Sequence, residues 1–439
     1  MNNRVTRRIA VQSILTGASA LTGSLFGDEP ARKTGAANKP QITGRSNPDL
    51  ASFDDLMLKF IQTHHIPGAA LAVTRNSQLV YARGFGFADV DAKRPVRPDA
   101  LFRIASISKP LTAVGVMQLI EKSKFKLNDR VFDVLPAKEW LPAKHDARLL
   151  AITVRQLLQH TGGWDRDTSF DPIGRPHDIA RVLNQSLPVG PADVVRYTLT
   201  LPLDFDPGAR YAYSNVGYLL LGRLMEHATG HSYEEYVKQH VLAPVGVTRT
   251  QLGRVAKGDL AKDEVHYYDS KHREGSAVNG PHIGTKVPLV YGAENFQAYE
   301  AHGGWIASAV DLVRFASGLD HPETPKLLKA DSISALWARP EGAAGHEADG
   351  KPKAAYYGCG WNVRPVGNTG RANTWHSGLI AGTSTILVRR HDGLNWAVLF
   401  NTEADPEGKT LSGLIDPLVH GAADAVKRWP EGGRDTQPS

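Results

Sequence analysis

Strand-like runs stand near both ends of this chain, and helical runs fill its middle. Near the start, Gly68 to Thr74 and Leu79 to Gly86 read as two strands joined by Arg75-Asn76-Ser77-Gln78 as a hairpin turn. Near the end, Tyr357 to Arg364, Ile380 to Arg390 and Leu394 to Asn401 have strand character, with His391-Asp392-Gly393 as a turn between the last two. This order predicts an α/β chain of the α+β type. Its antiparallel sheet is built from both chain ends and flanked by helices, and a mostly helical region is inserted between them. In the first strand Leu71 and Val73 share one face and Ala70 and Ala72 the other, which fits a helix packed closely on the sheet.

The helical runs follow a period of three to four residues. Asn47-Pro48 can cap a first helix carrying Phe53, Leu56, Met57, Phe60 and Ile61. Leu111, Val114, Met117 and Ile120 mark a buried helix, and Ile152 to Gly163 a short one that ends at glycines. Further helices are expected near Ala192 to Leu201, over Val216 to His227 with Gly230 as the stop, and over Tyr233 to Val241. His302-Gly303-Gly304-Trp305 is expected to open another, with Val310, Leu312, Val313 and Phe315. The last runs from Leu411 to Trp429, with Asp416 capping a fresh start at Pro417. Residues 164–207 are loop-rich, and 254–298, polar and without a period, read as surface loops.

Composition narrows the function classes. Hydrophobic content of 41% and charge of 22% are those of a globular protein, and no apolar run is long enough to span a bilayer. Cys359 is the only cysteine, so neither an intramolecular disulfide nor a cysteine metal cluster can form. Of the net charge of +6, residues 1–46 supply five, from seven basic and two acidic side chains. The nearly neutral body gives no reason to expect a nucleic-acid partner. Thr6-Arg7-Arg8-Ile9-Ala10-Val11, followed by a weakly apolar stretch and the small residues Ala18-Ser19-Ala20, reads as a twin-arginine export signal. The expected organisation is an export signal and linker over 1–46, one domain over 47–430, and a tail over 431–439. Within the domain, 47–100 with 345–430 form an α/β lobe and 101–344 a mainly helical lobe. An exported, periplasmic or secreted protein follows, without stable membrane insertion.

The chemistry starts at Phe102-Arg103-Ile104-Ala105-Ser106-Ile107-Ser108-Lys109-Pro110-Leu111-Thr112, an extended segment running into a helix with Ser106 at the turn. Ser106 and Lys109, three residues apart, share one helical face. A serine needs a neighbour to take its proton, and a lysine crowded by dipoles and a half-buried wall can lose its own proton and do so. His160 stands without a second ligand at metal spacing and reads as a hydrogen-bonded structural histidine.

Three motifs stand in order: Ser106-x-x-Lys109, Tyr213-Ser214-Asn215 and His376-Ser377-Gly378. With Leu157-Leu158-Gln159-His160-Thr161-Gly162-Gly163, Pro207-Gly208 and Gly303-Gly304-Trp305, they resemble the serine β-lactamase and penicillin-binding-protein superfamily. The likeness is to its class C-like branch of β-lactamases, D-Ala-D-Ala carboxypeptidases, D-aminopeptidases and family VIII carboxylesterases, and it covers Asn47 to Trp429. It implies a β-lactamase/transpeptidase-like fold and a serine hydrolase that needs no metal or cofactor. Its substrate is a small molecule or peptide: a β-lactam, a D-amino-acid peptide or a small ester. Ser106 would form an acyl-enzyme, Lys109 would take or share its proton, and Tyr213 would relay a proton to the leaving group. Asn215 would orient Lys109 or the substrate amide. His376 to Leu379 would form an edge strand beside Ser106, and the resemblance puts the oxyanion hole at the N–H groups of Ser106 and Leu379. Gly378 would keep the strand surface clear for substrate. Most β-lactamases carry Lys-Thr-Gly as the third motif. A histidine there is mostly neutral at pH 7 and can still donate one hydrogen bond, which suits an uncharged ester or peptide amide better than a carboxylate. The alternative function is a catalytically silent or slow β-lactam-binding scaffold or sensor of the same fold. The oligomeric state stays open.

Overall fold

The computed structural model describes residues 41–430. The export-signal reading of Arg7 and Arg8 and the expected tail lie outside the described residues. In chain order, the elements that place the site are β1 (Ile42–Thr43), α1 (Ala51–Thr63), β2 (Gly68–Arg75), β3 (Gln78–Asp89), α2 (Ser108–Glu121), α3 (Asn215–Thr229), α4 (Ala309–Ser317), β4 (Tyr356–Tyr357), β5 (Asn362–Pro365), β6 (Ala372–Ile380), β7 (Thr383–Arg389), β8 (Leu394–Phe400) and α5 (Leu411–Asp424).

The principal sheet is antiparallel, in the order β1-β3-β2-β8-β7-β6-β5-β4, with Arg94–Pro95 pairing beside β3. The two chain ends meet where β2 pairs β8, with Leu71 opposite Val398. The hairpin after β2 turns on Asn76 and Ser77, both at positive φ (48° and 61°), the geometry a two-residue turn needs to follow the strand twist. Ile42–Thr43 pairs with Phe85 and Gly84, so the sheet begins upstream of Asn47.

Each face of the sheet is covered. Leu71, Val73, Val388, Trp396, Val398 and Phe400 form one core with Phe53, Met57 and Phe60 of α1 and Leu411, Ile415 and Val419 of α5. Ala70, Ala72, Ala397 and Leu399 belong to the other core, where α4 lies on β2 and β8. Alanine on this face lets α4 approach closely, as the alternation in β2 predicts.

Three expectations need correction. Trp305 does not open a helix: Trp305–Ala307 is a short strand pairing both Phe102–Arg103 and Gln251–Leu252, and α4 begins after it, capped by Ser308. Pro417 sits inside a continuous α5 and does not restart it. The lost N–H bond is outweighed by the buried face of Leu411, Ile415, Val419 and Ala423. Residues 254–298 are not all surface loops: Glu274–Ser276 and Lys286–Pro288 form a hairpin, and Val255, Val265, Tyr267, Val290 and Phe296 are buried. Their anchor is Arg103, fully buried, which lies over the Tyr267 and Phe296 rings and donates to the carbonyls of Val290 (2.9 Å) and Arg254 (3.1 Å).

Candidate active site

Ser106 lies in the 3-10 turn Ala105–Ile107 that leads into α2. The residue before it, Ala105, is held at φ 46°, a left-handed conformation an alanine rarely adopts. Three contacts hold this strained entry. Ile104 N–H donates to Trp305 O (3.0 Å), Thr385 Oγ1 donates to Ile104 O (3.1 Å), and Ser108 Oγ donates to Ala105 O (2.7 Å).

Lys109 Nζ stands 3.2 Å from Ser106 Oγ, and the Tyr213 hydroxyl donates to the same oxygen at 2.8 Å. Lys109 is fully buried; its other contacts are Asn215 Oδ1 (2.8 Å) and the carbonyl of His302 (3.0 Å). Burial holds its pKa well below the ordinary lysine value; the Asp171 carboxylate opposes that shift without cancelling it. Asn215 opens α3, and its amide N–H donates to Asp171 Oδ2 (2.7 Å), which fixes the amide so that its oxygen faces Lys109. Asp171 accepts a second bond from the Ile173 N–H (3.2 Å). Burial also raises the Tyr213 phenol above the ordinary tyrosine range, so it rests as a neutral donor.

The segment that presents His302 O is itself clamped. Glu300 sits at φ 28° with its carboxylate bonded to Arg223 of α3, and Thr112 Oγ1 of α2 donates to Ala301 O (2.6 Å). His160 accepts the Ser214 N–H at Nδ1 (3.2 Å), the structural role its sequence context predicts. Its ring packs against Tyr213 and Tyr357, with centroids 4.3 and 4.5 Å away.

The third motif differs from expectation in detail. β6 is not the last strand of the sheet, but β5 pairs only with Ala372 to Trp375, which leaves the strand open on that side from His376 onward. Ser377 and Leu379 are exposed, Leu379 by 51%, while His376 and Gly378 are buried. Gly378 does not clear space for substrate: a Cβ there would stand 2.3 Å from Ile104 O and 3.1 Å from the Ala105 Cβ. Its missing side chain lets β6 press against the nucleophile turn. His376 has both ring nitrogens engaged: Nδ1 lies 2.7 Å from Ser377 O and Nε2 2.9 Å from the Tyr357 hydroxyl. The N–H therefore goes to the backbone carbonyl, Tyr357 donates to Nε2, and no ring N–H is left for a substrate. Burial, with Lys109 nearby, lowers the His376 pKa to about 3, so the ring is neutral.

The structure thus gathers Ser106, Lys109, Tyr213 and Asn215 into one hydrogen-bonded cluster, with His376, Ser377, Gly378 and Leu379 on the adjoining strand. Sequence reasoning missed Asp171, Tyr357 and the carbonyl of His302. Asp171-Pro172 carried a cap-and-start signal for a turn, but nothing local tied it to Asn215.

Comparison with known proteins places the chain in a family. The family model described as Beta-lactamase matches residues 53–418. The chain belongs to the beta-lactamase family. Penicillin-binding protein 4* of Bacillus subtilis is 30% identical over 355 residues, covering 79% of this chain and 70% of that protein. Among solved structures, EstCE1, described as a hydrolase with promiscuous acyltransferase activity, superposes with a TM-score of 0.63 at 21% identity, over 85% of this chain and 98% of its own. A D-stereospecific amidohydrolase from Streptomyces gives a TM-score of 0.60 at 23% identity, over 87% and 99%. At these identities the two structures speak for the fold. Family membership places this chain in the serine β-lactamase and penicillin-binding-protein superfamily of hydrolases.

Proposed function

We propose that this beta-lactamase family member is a serine hydrolase that cleaves a small amide or ester through an acyl-enzyme on Ser106. The observation that carries the reading is the hydrogen-bond arithmetic at Lys109. A neutral lysine amine has two N–H groups and one lone pair. Asn215 Oδ1 and His302 O can only accept, so they take the two hydrogens, and the lone pair is left facing Ser106 Oγ. Lys109 then takes the serine proton as Oγ bonds to the acyl carbon. The carbonyl oxygen gains negative charge beside the N–H groups of Ser106 and Leu379. Tyr213 passes its proton to the leaving group, is reprotonated from Lys109, and in the second half-reaction helps a water attack the ester. His376 contributes packing and a hydrogen bond to Tyr357 and brings no charge to this sequence of events.

A fluorophosphonate probe should label Ser106, and Ser106→Ala should abolish both labelling and turnover. A panel of a p-nitrophenyl ester, a D-Ala-D-Ala peptide and a chromogenic cephalosporin separates the substrate classes. A labelled protein that turns over none of them would favour the slow-acylating sensor, and an unlabelled Ser106 would reject the hydrolase reading.

A further inference from the structure

The third motif brings no cation to the site, yet a guanidinium stands there. Arg166, on the loop after His160, places its Cζ 4.7 Å from the centroid of the Tyr213 ring. Tyr213 spans the distance from that guanidinium to Ser106 Oγ, since its hydroxyl bonds the serine. Arg166 is half-exposed, its side chain 43% accessible. Among the described residues its one ion-pair neighbour, the exposed Asp167, stands 3.9 Å from the guanidinium, beyond hydrogen-bond range. Its charge is permanent, while Lys109, His160 and His376 are pushed toward neutrality by burial.

Arg166 also lines a cavity of about 160 Å³ with Trp164, Phe170, Pro172, Leu201 and Asn215. A cavity of roughly 150 Å³ with apolar walls holds a benzene ring. Asp171 and Asp204 line it too: the two Asp171 oxygens already accept from Asn215 and from the Ile173 N–H, and Asp204 Oδ2 accepts from the Asp165 N–H (2.7 Å) and from Ser169 Oγ (3.2 Å).

We propose that this cavity and Arg166 form a substrate subsite for a compact apolar or aromatic group bearing a carboxylate, the carboxylate pairing with N–H donors along the edge of the guanidinium. The inference rests on the Ser106 hydrolase reading and adds to it the substrate class. A planar guanidinium can bind a carboxylate through two parallel N–H donors while its Cζ stays over the Tyr213 ring.

The test uses phenylboronic acid and 3-carboxyphenylboronic acid as competitors of fluorophosphonate labelling at Ser106. The carboxylate compound is expected to protect at about tenfold lower concentration, the scale of a charged hydrogen bond at a half-exposed site. In Arg166→Gln the ratio between the two should fall toward one, and Arg166→Lys should keep part of it. If Ser106 is labelled but the two boronates compete equally in the wild type, the subsite is overturned and the hydrolase reading stands. If Arg166→Gln weakens both boronates alike and shifts the pH profile of labelling, Arg166 acts on Tyr213 and not on the ligand, which also overturns it. If Ser106 is not labelled at all, the hydrolase reading itself has failed.

Discussion

Replacing Lys109 by methionine gives a direct reading of its protonation in the folded protein. The unfolded chain carries a charged lysine up to about pH 10.4. In the folded protein burial disfavours that charge, and the pKa lies well below the ordinary value. Between the two pKa values the unfolded state holds one proton more than the native state, so native stability must rise with pH. The slope for one proton is about 1.4 kcal/mol per pH unit. The methionine variant lacks this titration. Its lost hydrogen bonds to Asn215 Oδ1 and His302 O shift its stability by an amount that varies little with pH. The difference between wild type and variant should therefore move in favour of the wild type by up to about 1.4 kcal/mol for each pH unit between the native and the unfolded pKa, and level off above about 10.4. Urea denaturation followed by tryptophan fluorescence at fixed pH steps measures it. The lower corner of the curve gives the native pKa. A difference that stays flat up to pH 10 would mean that Lys109 is charged in the fold, and the lone pair assigned to Ser106 would not exist.

Other outcomes follow from single positions. In Gly378→Ala the new methyl meets Ile104 O and Thr385 Oγ1 at 2.3 Å, so the variant should lose about 1–3 kcal/mol in urea melts and label slowly at Ser106. Gly421→Ala, in α5 with nothing among the described residues within 4 Å of the new methyl, should instead gain about 0.5–1 kcal/mol. His376 has a folded pKa of about 3 against about 6.5 unfolded, so below pH 6.5 the wild type should lose stability relative to His376→Gln by about 1.4 kcal/mol per pH unit. Replacing Arg7 and Arg8 by lysine should trap the protein in the cytoplasm, read by fractionation, and unchanged export would reject the twin-arginine reading.

What could be read in the sequence was what repeats or lies close along the chain. Ser106 and Lys109 are one helical turn apart, and the alternation of Leu71 and Val73 with Ala70 and Ala72 marks two faces of one strand. The two sheet ends were legible because both are strand-like around a helical centre. Contacts between distant loops were not. Asn215 meets Asp171 across 44 residues of loop-rich chain, and His376 meets Tyr357 across 19, with no periodicity to link either pair. The buried residues of 254–298 come singly and pack around Arg103, so they show no period. Trp305 continues the apolar pattern of α4, but pairing with Phe102–Arg103 outweighs that local preference. The histidine of the third motif was correctly legible as uncharged. Its lack of a free N–H depends on Tyr357, which only the fold brings to it.

The two neighbours of Ser106 Oγ can be told apart by the direction in which burial moves each. Desolvation favours whichever form is uncharged, so it leaves Lys109 as a free amine that can accept a proton and Tyr213 as a neutral phenol that can donate one. The resting proton of Ser106 should then pass to Lys109, with Tyr213 needed during acylation only when a leaving group must be protonated. A fluorophosphonate exposes the difference, because fluoride departs from phosphorus without needing a proton, whereas an amine leaving an amide needs one. Lys109→Ala should slow both labelling and amide hydrolysis on the order of a hundredfold or more, the scale of a lost general base. Tyr213→Phe keeps the ring against His160 and removes only the hydroxyl that bonds Ser106. It should slow amide hydrolysis about a hundredfold while labelling changes by less than about tenfold. Labelling rates from rapid quenching and intact-mass measurement, set beside amide turnover, decide the matter. If Tyr213→Phe loses labelling as severely as Lys109→Ala does, the phenol shares in deprotonating the serine, and the division of labour argued from burial is wrong.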